Sequence, residues 1–236
     1  MTDTTASTST STLTENQDDE REGGRLFGLS DAVFAIAMTL LALDLRVPGL
    51  GDHPADHTLV RALLDQGPQY LAFLLSFYVI AGYWQRHKAE MRTAKAGDPA
   101  LVRCTLPLLL AVCTLPFAAD LLGTYGGQDG IAITVYAGVN VVAVCSLLGI
   151  RYTARRHQPS GNAGSASDYL DIWLDLGALL LAAPSGYLFP SHGPLVLVAL
   201  LLLSDAAGQV IVRLRKQQPA QETAETPPEQ DATANT

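Results

Sequence analysis

The stretch Arg25-Leu-Phe-Gly-Leu-Ser30-Asp31-Ala-Val-Phe-Ala-Ile36-Ala-Met-Thr39-Leu40-Leu-Ala-Leu43-Asp44 decides how this chain is read. It is nearly all apolar and matches the ~20 residues an α-helix needs to cross the hydrocarbon core of a bilayer. It also holds an arginine, a serine and two aspartates within or beside that run. A charged side chain at such depth costs about 3 kcal/mol on insertion scales. Residues of that kind face the interior of a helix bundle, where they serve a partner or a pathway.

Working outward, the chain divides into six apolar stretches: 26–45, 68–85, 101–123, 130–150, 169–189 and 194–212. The expected fold class is therefore all-α, a polytopic membrane protein with six transmembrane helices. A soluble helical protein would need polar faces that these stretches lack. A membrane β-barrel would need short alternating segments, which are absent. Thirteen of the 15 Lys and Arg residues fall at one set of span ends, leaving Arg46 and Arg61 on the other side. The positive-inside rule then places both termini in the cytoplasm and the protein in the cell membrane. Tyr83, Trp84, Tyr152 and Tyr187 sit at expected span ends, as interfacial anchors do. The segment between the first two spans is expected to be a partly ordered outer loop, in which His53, His57, Asp52 and Asp56 read as solvated side chains.

The 236 residues are 48% hydrophobic and 16% charged, with a formal charge of −8. The acidity is concentrated in residues 1–24 and 217–236, whose polar composition buries too little apolar surface to fold. Both read as disordered cytoplasmic tails around a six-helix membrane unit at 25–216, which is nearly neutral. No basic patch with interleaved aromatics suggests a nucleic-acid partner. Three cysteines, Cys104, Cys113 and Cys145, lie scattered in apolar stretches and suggest neither a metal site nor a disulfide scaffold. No histidine lies within a span, so there is no constellation for an intramembrane enzyme, and no cofactor is implied. Asp171 and Asp175 read as hydrated acids near a span end, while Asp205 reads as a mid-span acid paired within the bundle.

Helical geometry organises the first stretch further. At about 100° per residue, Leu29, Leu40, Leu43 and Val47 fall within about 40° of Ile36, forming one narrow apolar stripe. Asp31 lies about 140° away from Ile36. A stripe of this kind by itself is a surface for lipid or for packing.

The run Arg25-x-x-x-Leu-Ser30-Asp31 followed by Ala-Val-Phe-Ala-Ile-Ala-Met-Thr-Leu-Leu resembles the signature of the transmembrane protein 175 family, lysosomal potassium channels and their bacterial homologues. The family pattern has Phe where this chain has Leu29. Ser76-Phe77 with Trp84 and His87 resembles the family's second-helix pattern, and Leu115-Pro116-Phe117 resembles its third. Spans 1–3 carry the likeness; spans 4–6 share only hydropathy.

The resemblance implies a cation channel that is modestly selective for potassium and lacks the Thr-Val-Gly-Tyr-Gly filter. It implies a pore lined by the first helix of four identical subunits in the lipid bilayer, since a single motif matches the bacterial one-repeat form. The constriction residues carried over are Ile36, Leu40 and Leu43, members of the stripe. Thr39 and Asp44 are pore-lining or selectivity candidates for potassium and other monovalent cations. Arg25, Ser30, Asp31, Trp84 and His87 form a structural network, with Asp31 expected to bond Trp84, His87 or Arg25. A secondary transporter is the competing reading, weakened by the absence of an internal repeat.

Overall fold

The computed structural model describes residues 4–46, 56–92, 94, 98–128, 130–156, 170–188, 196–197, 199–201 and 203. All regular structure among them is helical: α1 (Thr4–Leu43), α2 (Asp56–Asp65), α3 (Gly67–Met91), α4 (Pro99–Tyr125), α5 (Gly130–Arg156) and α6 (Leu170–Leu188). The expected span 194–212 is described only at a few helical positions up to residue 203. Asp205, residues 47–55 with Asp52 and His53, and residues 217–236 lie outside the described residues.

Among the described residues, three helices are long and apolar enough to cross a membrane: Gly23–Leu43, Pro99–Tyr125 and Gly130–Arg156. The first, 21 residues, spans about 31 Å at 1.5 Å per residue, close to the ~30 Å hydrocarbon core. α3 and α6 match the expected second and fifth stretches. α3 carries Gln69, Tyr70 and Ser76 before a charged last turn, and α6 carries Asp171, Asp175 and Pro184.

Two expectations of irregular structure change. Residues 1–24 were expected to hold none, yet α1 is continuous from Thr4. Once the apolar span has formed a helix, each preceding residue adds a hydrogen bond without a new nucleation cost. Between the first two stretches, 56–65 is a helix with Leu59, Val60, Leu63 and Leu64 exposed. At ten residues it is too short to span a bilayer. Its exit is pinned by Gln66, whose buried amide donates to the Arg46 carbonyl at 2.6 Å. The α2–α3 corner is thereby held level with the C-terminal end of α1.

The membrane helices obey local rules. Asp98 caps α4 by accepting from the Ala100 amide at 2.9 Å, with Pro99 in the first turn, where a missing N–H costs nothing. Thr105, Thr114, Thr134, Ser146 and Thr153 each donate to the carbonyl four residues back. That satisfies their hydroxyls inside an apolar setting. Pro107 and Pro116 lie inside α4, a placement tolerated in membrane helices where neighbouring groups or local backbone adjustment satisfy the freed carbonyls.

α4 is the hub, packed against α1, α3 and α5, while α5 also carries α6 and α3. The core is built from Leu108, Val112 and Leu115 of α4, Ile133, Val144, Leu147 and Ile150 of α5, and Ile80 of α3. Small residues let backbones approach closely. A Cβ on Gly149 would lie 2.8 Å from the Cys104 sulfur, and one on Gly123 would lie 3.1 Å from the Gln69 Cα. Four pairs of polar groups meet inside. Ser76 Oγ shares a hydrogen with Tyr136 Oη at 3.1 Å, and Tyr83 Oη donates to Asn140 Oδ1 at 2.8 Å. Arg151 Nε donates to Glu90 Oε1 at 2.5 Å, and Arg86 pairs with Asp175.

These pairs correct two readings. Tyr83 is no interfacial anchor: it is buried, because Asn140 offers its hydroxyl an acceptor inside the bundle. Asp175 is not a hydrated acid: it is buried, with its charge met by Arg86.

Candidate pore surface on the first helix

α1 divides into two faces. Ser30, Phe34, Ala37 and Leu41, spaced four, three and four apart, are buried against the neighbouring helices. This is the i, i+4, i+7, i+11 pattern of one helix side. The apolar stripe is on the other side. Leu29 is 53% exposed, Ile36 58%, Leu40 41% and Leu43 62%. Four large apolar side chains in line, uncovered by their own subunit, require a partner: lipid or another copy of the chain. Val47 lies outside the described residues.

Thr39 is exposed beside the stripe, and its hydroxyl donates to the Ile36 carbonyl at 2.7 Å. That bond uses the hydroxyl's hydrogen and leaves its oxygen outward as an acceptor. Asp44 follows the helix end, where Arg46 Nε reaches back to the Leu43 carbonyl at 3.2 Å. Asp44 lines a small cavity of about 10 Å³ with Gln69 and Asp120.

The motif residues meet between α1 and α3. Trp84 Nε1 donates to Asp31 Oδ1 at 2.8 Å, so of the three expected partners of Asp31 the indole is the one in place. Lys88 Nζ sits 4.7 Å from the centroid of the Trp84 ring, a cation–π distance. His87 is buried, its ring 5.9 Å from that of Phe34, and neither ring nitrogen has a partner among the described residues. Ser30 is buried and donates to the Leu26 carbonyl at 2.9 Å, within its own helix. Arg25 stands exposed and makes no ion pair with Asp31 among the described residues. The chain thus brings Asp31 to Trp84 and Phe34 to His87, and leaves Arg25 outside that cluster.

Sequence reasoning missed the Ser76–Tyr136 and Tyr83–Asn140 bonds and the Arg86–Asp175 pair. The available signal was Asn140 in the middle of an apolar helix, since an intramembrane polar side chain requires a partner.

Comparison with known proteins follows the same landmarks. A family model described as "Endosomal/lysosomal potassium channel TMEM175" matches residues 25–116. A Streptomyces collinus protein, "Potassium channel B446_29190", is 34% identical over 204 residues, covering 83% of this chain and 97% of that protein. "Potassium channel Cha6605_3372" from Chamaesiphon minutus is 39% identical over 125 residues, covering 51% of this chain and 60% of the relative. A crystal structure of a lysosomal potassium-selective channel TMEM175 homolog from Chamaesiphon minutus superposes with a TM-score of 0.66 at 29% identity, over 80% of this chain and 98% of that one. The half-buried Asp31–Trp84 corner, the exposed stripe on α1 and these likenesses agree, and the chain belongs to the TMEM175 family.

Proposed function

We propose that this chain is one subunit of a homotetrameric potassium channel with six membrane spans per subunit. In this reading the stripe on α1 surrounds the central axis. The observation that carries it is the uncovered line of Ile36, Leu40 and Leu43, on a helix whose opposite face is fixed by packing. Family membership supports it, as do the printed names of the relatives, which call them potassium channels. One α1 encloses nothing; four copies form a neck.

A ring of Ile36 side chains excludes water when narrow and passes partly hydrated cations when wider. Opening is then a small rotation or dilation of α1. Thr39 oxygens supply the polar layer next to the Ile36 ring and favour potassium modestly over other monovalent cations. Four Asp44 carboxylates concentrate cations at the outer mouth. Asp31, Trp84, His87, Ser30 and Arg25 set the pitch of α1 and the subunit contacts and do not conduct. The channel sits in the cell membrane with both termini in the cytoplasm, and it is no enzyme.

The test is ion flux in liposomes with potassium, sodium and caesium. Wild type is expected to pass potassium best, with a flux that does not saturate like a carrier's. Ile36→Asn wets the neck, so leak rises and selectivity flattens. Unchanged flux and selectivity in Ile36→Asn, or proton-coupled saturable uptake by wild type, overturns the reading.

A further inference from the structure

α3 and α6 both pack on α5 but make almost no contact with each other. Between them lies a cavity of about 370 Å³. Leu75 and Val79 of α3, Leu179 of α6 and Leu201 form its apolar walls. It runs over Gly82, where an added Cβ would meet no atom within 4 Å. The last α3 residue and the first α6 residue on its wall are Arg86 and Asp175, so their ion pair closes one end. Gln85 and Tyr78, both exposed, stand on its rim.

We propose that this cavity holds an acyl chain of an anionic phospholipid, with the headgroup at the Arg86 end. The medium around a membrane helix bundle is hydrocarbon. An apolar groove open to it fills with a chain, because an empty one forfeits dispersion contacts along its walls. The chemistry of the ends sets the orientation. The Leu75–Val79 end is walled by apolar side chains with the Tyr78 phenol on its rim, while the other end offers the Gln85 amide and the Arg86 guanidinium. Charge selects the headgroup. Arg92 follows Arg86 on the same helix, among the thirteen basic residues gathered at these span ends, while Lys88 is turned to the Trp84 ring. Such a basic end attracts anionic lipid, at about 1 kcal/mol per Lys or Arg near the surface. Asp175 does not repel a phosphate, because Arg86 already meets its charge.

The test uses the full chain in phosphatidylcholine vesicles doped with a phosphatidylglycerol that carries a photoactivatable diazirine midway along one acyl chain. Adducts are then mapped by peptide mass spectrometry. The groove segments 75–82 and 175–179 are expected to label several-fold more heavily than exposed apolar residues elsewhere, such as Leu106, Leu110 and Val142. Gly82→Phe fills the cavity and abolishes groove labelling while leaving labelling of α4 and α5 intact. If Gly82→Phe loses the wild-type elution profile, Leu179→Trp fills the same space from the opposite wall. Equal labelling of groove and outer surface signifies bulk lipid and overturns the proposal. A groove that stays unlabelled while α4 labels signifies occupation by a neighbouring copy, and overturns it too. Equal groove yields from phosphatidylglycerol and phosphatidylcholine probes overturn the anionic assignment.

Discussion

Trp84→Phe isolates the bond that ties α1 to α3. The substitution keeps an aromatic ring beneath Lys88, which lies 4.7 Å from the indole centroid, and deletes the N–H that donates to Asp31 at 2.8 Å. A hydrogen bond to a charged acceptor contributes ~1.5–3 kcal/mol. Side-chain bonds between membrane helices average ~0.6 kcal/mol and reach ~1.7 kcal/mol. Asp31 is only partly buried, so water replaces some of the lost bond. The expected loss is therefore about 1–1.5 kcal/mol, close to tenfold in the folded-to-unfolded ratio. Asp31→Asn weakens the same bond by removing the charge. The double variant should cost less than the sum of the two, with a coupling energy of about 1 kcal/mol. The assay is unfolding by increasing detergent denaturant, followed by helix content, with elution volume reporting the oligomer. Strictly additive single losses, or two single variants with wild-type stability and wild-type assembly, refute the view that this contact holds the first helix.

Gly149→Ala places a Cβ 2.8 Å from the Cys104 sulfur. Overpacking of this kind should lower stability by about 1–3 kcal/mol, and Cys104→Ala in the same chain should restore most of it in the same unfolding assay. Arg151→Met takes the Arg151 guanidinium away from the buried Glu90 carboxylate and should destabilise by about 3 kcal/mol. Glu90→Met with Arg151→Met should recover much of that, because removing both charges removes the desolvation penalty. Asp44→Asn should lower unitary potassium conductance at low ionic strength and have little effect near 1 M salt, where screening shortens to ~3 Å; single-channel recording across a salt series checks both. Ile36→Asn, measured by reversal potentials in mixed potassium and sodium, should move toward no preference.

The sequence by itself determined what depends on neighbours along the chain. Apolar runs of about twenty residues marked α1, α4 and α5, because hydropathy and length are local properties. The stripe of Leu29, Ile36, Leu40 and Leu43 followed from helical period alone, and so did its angular separation from Asp31. Tertiary structure decided which faces are covered and which polar groups meet. Tyr83 was legible as an anchor until Asn140 of α5 supplied an acceptor fifty-seven residues away. Asp175 was legible as a hydrated acid until α3 brought Arg86 against it. Residues 56–65 became a helix whose corner Gln66 fastens to the end of α1. In each case the deciding partner lies on another element, and burial turns a polar side chain from a solvated group into one that must be paired.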